Sequence, residues 1–207
     1  MKFWMVVLGC ALAGAGAVPA GALPLLSEVY YDAVGSDDGR GFVELVGAPG
    51  TVIDGWVVEG INGAGGGVAG SVVLAGVIPA DGIFVVADGR ADGSSDVAFA
   101  DQIADFDFQN GPDSILLRDG AKLLDAVGYG VFAPGDVFAG EGAPAPDPGA
   151  GASIFRLVAD VDTGDNATDW GSGAPTPGRA TRVPEPLEGA LLLLVGWRLR
   201  RTARRRA

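Results

Sequence analysis

Apolar residues in the middle of this chain occur in short runs, cut at fairly regular intervals by clusters of Gly, Asp and Pro. No window of about 11 residues between the two ends sustains the spacing of an amphipathic helix. Glycine (35 residues) and proline (13 residues) are far more frequent than a helical bundle tolerates, because each opposes helix propagation. The pattern predicts about eight strands, at Leu25–Tyr31, Phe42–Val46, Trp56–Glu59, Ser71–Ala75, Ile83–Ala87, Ser114–Arg118, Leu123–Tyr129 and Ser153–Leu157. In the first, Leu26, Glu28 and Tyr30 alternate with Ser27, Val29 and Tyr31, as in a half-buried strand. Ile83-Phe84-Val85-Val86 is continuously apolar, as a strand covered on both faces would be. Asp119-Gly120 joins two such runs and reads as a hairpin turn. Short strands separated by turn signals point to an all-β sandwich built around one core.

The residue inventory excludes several chemistries. The chain of 207 residues has no His, and its single Cys, Cys10, sits in an apolar N-terminal run. A Ser-His or Cys-His catalytic pair cannot be assembled, nor can a zinc site built on His or several Cys. Between residues 23 and 182 there are 24 acids and seven bases, a net charge of −17. So acidic a surface repels phosphate backbones, which argues against nucleic acid as a partner.

The two ends read as addresses. Met1-Lys2-Phe3 opens an apolar, small-residue stretch ending Ala20-Gly21-Ala22, the pattern of a secretory signal helix over residues 1–22, with cleavage between Ala22 and Leu23. Signal peptidase is the partner this implies. At the other end, Val183-Pro184-Glu185-Pro186 precedes the apolar segment Leu187–Trp197, followed by Arg198, Arg200, Arg201, Arg204, Arg205 and Arg206. This order resembles the PEP-CTERM sorting signal of exported Gram-negative proteins. The resemblance implies export across the inner membrane, transient insertion through residues 183–207 as a short apolar and basic helix, and removal of that tail by an exosortase. Release to the cell surface or its matrix would follow. The arginines suit a stop on the cytoplasmic side. The apolar segment has 11 residues and is interrupted by Glu188, against about 20 for a full helical span.

The middle carries a second resemblance. Ser27-Glu28-Val29-Tyr30-Tyr31-Asp32 with Gly41-Phe42-Val43-Glu44-Leu45, then Ile53-Asp54-Gly55-Trp56-Val57-Val58, resemble the opening of a lamin tail domain. Ile78-Pro79-Ala80-Asp81-Gly82 leading into Ile83–Ala87, then Asn110–Leu117 and Asp125–Gly130, continue the series. Ser153-Ile154-Phe155-Arg156-Leu157 and the stretch from Asp162 to Trp170 and on to Gly178 close it. The family fold is an immunoglobulin-like β-sandwich, in agreement with the strand pattern. The expected organisation is a sandwich over 23–170, a Gly/Pro linker over 171–182 and the sorting tail over 183–207.

Candidate chemistry is sparse. Trp56, after Gly55, reads as a core anchor. Gly65-Gly66-Gly67-Val68-Ala69-Gly70 satisfies G-x-G-x-x-G, but a strand pattern follows where a dinucleotide site needs a helix, so it reads as a hairpin loop. Glu28 and Glu44 could pair as acid and base, yet no further catalytic group accompanies them. In the loop from residue 160 to 169, Asp160, Asp162, Asp165, Asn166 and Asp169 place hard oxygen donors close together around Gly164. That set could bind calcium, although the spacing is not that of an EF-hand, and such loops also form hydrogen-bonded turns without metal. Asp101, Asp105 and Asp107 read as a solvated connection held by Phe106 and Phe108. These observations lead to the expectation of a non-enzymatic, exported surface or matrix-binding module with a glycan or protein ligand. A secreted metal-dependent hydrolase, or an accessory to one, using the Asp-rich loops is the competing class.

Overall fold

The structure, a computed structural model, describes residues 23–180. The signal segment 1–22 and the sorting motif Val183, Pro184, Glu185 and Pro186, with the rest of the tail, lie outside the described residues; Leu23 is the first residue within them. Ten strands and one helical turn make two sheets: β1 (Leu25–Tyr30), β2 (Phe42–Val46), β3 (Val57–Asn62), β4 (Val68–Val73), β5 (Ile83–Asp88), β6 (Gln102–Ala104), β7 (Asp113–Asp119), β8 (Lys122–Tyr129), β9 (Ser153–Arg156), α1 (Asn166–Asp169) and β10 (Trp170–Gly173). The larger sheet has six strands in the order β10-β9-β1-β2-β5-β6, and the smaller has four in the order β4-β3-β7-β8. Every pairing is antiparallel except β5 with β6. The protein is an all-β, sandwich-like fold.

One continuous core fills the space between the sheets. Leu26, Val29, Val43, Leu45, Phe84, Val86 and Ile154 from the larger sheet meet Val58, Val72, Ile115, Leu117, Val127 and Tyr129 from the smaller. Trp56 lies in this cluster, as the sequence predicts, and so do Phe106 and Phe108. The rings of Tyr31 and Tyr129 stack across it at 4.2 Å. Gly120 adopts φ +56° between Asp119 and Lys122, the left-handed turn the Asp-Gly pair foretells. The glycine-rich loop at 65–67 runs into β4, so the G-x-G-x-x-G stretch is a strand connection.

Strand β1 departs from simple alternation. A bulge between Leu26 and Glu28 adds a residue on β1 opposite β2. Leu26, Val29 and Tyr31 therefore point into the core together, while Glu28 and Tyr30 face the other way. A bulge is the backbone device that lets residues three apart share one face. Strand β6 was not foreseen, because Gln102-Ile103-Ala104 is too short and too polar to give a periodic signal. Its Gln102 reaches the other sheet: the side-chain amide accepts from Ala75 N (3.0 Å) and donates to Val73 O (2.9 Å).

The segment read as a linker from residue 171 begins inside the larger sheet. Gly171, Ser172 and Gly173 pair with Phe155, Ile154 and Ser153 in β10–β9. Beyond them the chain crosses the outer face of this sheet, away from the core. Ala180 packs there against two small clusters, one of Leu25, Val46 and Ala159 and one of Phe42, Ile83 and Val85. Ile83–Asp88 is buried along its whole length because this covering lies over its second face.

Candidate functional site

The Asp-rich loop from residue 160 to 169 connects β9 to β10 and closes on Arg156, the last residue of β9. The Arg156 side chain is fully buried. Its Nε donates to Leu26 O at 2.9 Å, Nη1 to Val161 O at 3.1 Å and Asp169 Oδ2 at 3.2 Å, and Nη2 to Asp125 Oδ1 at 2.7 Å. Asp162 Oδ1 lies 3.6 Å from Nη1, and the guanidinium stands 5.2 Å from the centre of the Trp170 ring. Asp125, on β8, also accepts from Leu26 N at 2.7 Å. The pair thus joins the two sheets and satisfies both backbone groups of Leu26. The strand geometry explains why these groups need such partners. Strands β1 and β9 pair only at Glu28 and Val29, so at Leu26 the ladder on that side has ended. A buried amide and carbonyl left without partners would each be costly.

The other loop residues follow the same logic. Asn166 is buried; its Oδ1 accepts from Gly128 N (2.9 Å) and Glu141 N (2.8 Å), and its Nδ2 donates to Ala126 O (2.9 Å). Ala126 O and Gly128 N belong to the free side of the edge strand β8, so this one amide pairs with them as a neighbouring strand would. Asp165 accepts from Ala143 N (2.8 Å) and Thr168 Oγ1 (2.8 Å), which hold its carboxyl below the ordinary range. Asp169 accepts from Thr163 N and Thr163 Oγ1, both at 2.8 Å, besides Arg156. Asp162 accepts from Gly164 N at 3.0 Å. Asp160 is exposed at the start of the loop.

Among the described residues, one group of carboxylates converges: oxygens of Asp125, Glu141 and Asp162 lie within 4.8 Å of one another. Only Asp162 of the five residues singled out in the sequence takes part. Asn166 and Asp169 are turned to backbone and hydroxyl partners instead, and Asp165 caps the 141–143 turn. Asp125 is buried, Glu141 half-buried and Asp162 exposed, so the group runs from interior to surface. Burial first, then the charges of Asp125 and Asp162, push the Glu141 carboxyl up to about 7. Its Oε2 is buried without a hydrogen-bond partner. Burial also raises the Asp125 carboxyl, against the pull of Arg156. The donors are all hard oxygens, and three acids, Asp125, Asp162 and Asp169, pair with a single guanidinium. The group could coordinate a divalent cation, which would share Asp125 with Arg156.

Neither Asp125, Glu141 nor Arg156 was picked out by the sequence reading. A signal for two of them is present. Asp125 interrupts Leu123-Leu124-Asp125-Ala126-Val127, and Arg156 interrupts Ile154-Phe155-Arg156-Leu157. A lone charge inside an apolar strand is seldom buried without a partner of opposite sign. Glu141, in a Gly-rich turn, carries no such mark.

Glu28 and Glu44 occupy a separate place, on the outer face of the larger sheet. They are register partners across β1 and β2, and both are buried. Glu28 accepts from Ser153 Oγ (2.5 Å) and Thr176 N (2.8 Å), and Glu44 from Ser27 Oγ (2.7 Å) and Gly178 N (2.8 Å).

No protein-family model matches the chain, and no curated protein or solved structure is similar to it.

Replacing Asn166 by Ala removes three hydrogen bonds and strands Gly128 N and Ala126 O at a buried edge. At about 1 kcal/mol or more for each group left unpaired, the expected loss of unfolding free energy is about 2–4 kcal/mol. Urea titration of Asn166→Ala against the parent protein measures it. A change below about 0.5 kcal/mol would show that the amide does not pair the strand edge.

Proposed function

We propose that this protein is an exported, non-enzymatic surface or matrix-binding module: an immunoglobulin-like sandwich of the lamin-tail type, sorted through a PEP-CTERM tail. The observation that supports it is the use made of the buried ionisable groups. Asp125 and Arg156 complete the backbone of Leu26. Asp88 accepts from Gly39 N and Phe106 N, and Asp113 from Gly63 N. Glu28 and Glu44 hold the segment beyond β10. Interior acids engaged in this way serve the architecture, and recognition falls to the exposed loops, as in other sandwich domains. The ligand class is a matrix glycan or protein.

Processing fits the same picture. Leu23 is 48% exposed, so a chain that starts there buries no terminal charge. Signal peptidase would cut between Ala22 and Leu23. An exosortase would act at Val183-Pro184-Glu185-Pro186, with the segment 187–197 inserted transiently in the membrane. No helix among the described residues is long and apolar enough to cross a membrane. Intact-mass measurement of the native protein in membrane, surface and culture-medium fractions tests this. The expected species begins at Leu23, ends near Pro184–Pro186 and lies outside the cell. A membrane-bound species that keeps the arginine tail would overturn the sorting part.

The second reading, a metal-dependent hydrolase, draws on the Asp125, Glu141 and Asp162 oxygens. Oxygen-only sets of this kind take hard divalent cations, calcium among them. An ion that binds only the folded state raises the melting temperature. Millimolar calcium is expected to raise it relative to chelator, and Asp162→Asn to abolish the rise; unchanged melting would exclude calcium. Hydrolysis that depends on both calcium and Asp162 would replace the module reading with the enzyme.

A further inference from the structure

We propose that Glu28 and Glu44 form a two-point latch that clamps residues 174–180 across the outer face of the larger sheet, and that its release lengthens the tether between the sandwich and the segment from Val183 onward. The latch stands on geometry alone; the use of the longer tether rests on the sorting reading given above.

The sequence of the strap is arranged for two attachments. In Ala174-Pro175-Thr176-Pro177-Gly178 the prolines remove alternate N–H donors and fix φ, which leaves Thr176 and Gly178 as the donors after Ala174. Both are used. Thr176 N donates to Glu28 Oε1 and Thr176 Oγ1 to Glu28 Oε2, each at 2.8 Å, and Gly178 N donates to Glu44 Oε2 at 2.8 Å. Pro177 and Gly178 are the central residues of a turn that Arg179 N closes by donating to Thr176 O at 3.0 Å, and the turn presents the two donors to carboxylates on two adjacent strands. Sheet pairing ends at Gly173 opposite Ser153, so the ladder does not hold the strap. Gly178 has φ +76°, and a Cβ built on it would stand 2.9 Å from Phe99 Cβ, which makes glycine necessary at the second attachment.

Beneath the strap lies a cavity of about 260 Å³. Glu28 and Glu44 line it from β1 and β2, Arg156 from β9, and Arg179 from the strap itself. The neighbouring β5 presents Ile83, Val85 and Ala87, all apolar, to this face. The closed latch therefore sets two carboxylates side by side in a poorly solvated place. Burial first, with a smaller push from Glu28, raises the Glu44 carboxyl to about 7 against the hydrogen bonds that lower it. When protonated, Glu44 still accepts from Gly178 on Oε2, while the Ser27 hydroxyl turns to accept from Oε1. Opening returns the carboxyl to water and towards its ordinary value of 4.5. Glu44 then binds fewer protons open than closed, so closure is favoured below pH 4.5 and is progressively lost as pH rises through 7. With Ala180 docked, two residues separate the packed chain from Val183. Release frees the seven residues from 174 to 180, about 23–25 Å of additional extended reach.

Amide hydrogen exchange on the full chain tests the latch, with Thr176 and Gly178 as reporters and Val58 and Leu117 of the core as references. After correction for intrinsic rates, protection of the strap amides should fall about tenfold between pH 6 and pH 8, with the core unchanged. Glu44→Gln should hold the strap at its pH 6 protection at both values. Gly178→Ala, which leaves both carboxylates in place, should strip the strap of protection at both values and spare the core. Strap protection that is equal at the two pH values in the parent protein, a tenfold fall that persists in Glu44→Gln, or strap and core amides that exchange together would each overturn the proposal. Every one of these readings is independent of export, so failure of the sorting reading leaves the latch standing or falling by itself.

Discussion

Arg156 is the point at which the two sheets, the loop that follows β9 and the unpaired end of β1 meet. Its guanidinium contacts Asp125 on the smaller sheet, Leu26 O on the larger, and Val161 and Asp169 in the loop, with Trp170 beside it. A buried ion pair is by itself weak evidence of stabilisation, because desolvation of both charges offsets their attraction. This pair differs in what else depends on it. Asp125 and Arg156 together satisfy the N–H and C=O of Leu26, which lies beyond the end of the β1–β9 ladder. A bulge against β2 puts Leu26, Val29 and Tyr31 into one core, and the ion pair supplies the hydrogen bonds that β9 no longer reaches to give. Core packing and polar satisfaction are here two parts of one arrangement.

A second polar link stands at the far edge of the sandwich, where Gln102 of β6 bonds to the backbone at Val73 and Ala75. Described residues 23–180 contain no Cys, so cross-links between the sheets must come from core contacts and hydrogen bonds of this kind. The Asp-rich loop belongs to the same design. Asn166 substitutes for a missing strand beside β8, and Asp165 and Asp169 brace the turns around it. What is left for a cation is the oxygens of Asp162 and Glu141 beside Asp125, at the surface end of the cluster.

Much of the fold was legible because it rests on local signals. Periodicity and turn residues located β2 to the residue, and placed β1, β5, β7, β8 and β9 to within a residue or so. Strand β4 begins earlier than expected because Val68-Ala69-Gly70 reads as loop by composition. Strands β6 and β10 were missed for a related reason: Gln102-Ile103-Ala104 and Trp170-Gly171-Ser172-Gly173 become strands only through their neighbours. The bulge at Ser27 was not legible, since a strict alternation of Leu26, Glu28 and Tyr30 looks equally sound on paper. The site was harder still. Clustered acids in one loop suggested a metal, whereas the convergent oxygens come from Asp125, Glu141 and Asp162, brought together from three segments. The strap resembled a linker because Pro and Gly dominate it, although the same prolines prepare it to dock.

Asp125 and Arg156 serve as backbone partners of Leu26 and not as an ion pair for its own sake. Urea unfolding of Arg156→Met and of the double variant Arg156→Met/Asp125→Leu separates the two. The single change leaves the buried carboxylates of Asp125 and Asp169 without their cation and should cost about 3–5 kcal/mol. The double variant removes the Asp125–Arg156 pair but leaves the amide and carbonyl of Leu26, Val161 O and the buried Asp169 carboxylate without their partners, so it should remain about 2 kcal/mol or more below the parent protein. A double variant as stable as the parent would show that the pair is dispensable and that Leu26 does not depend on it.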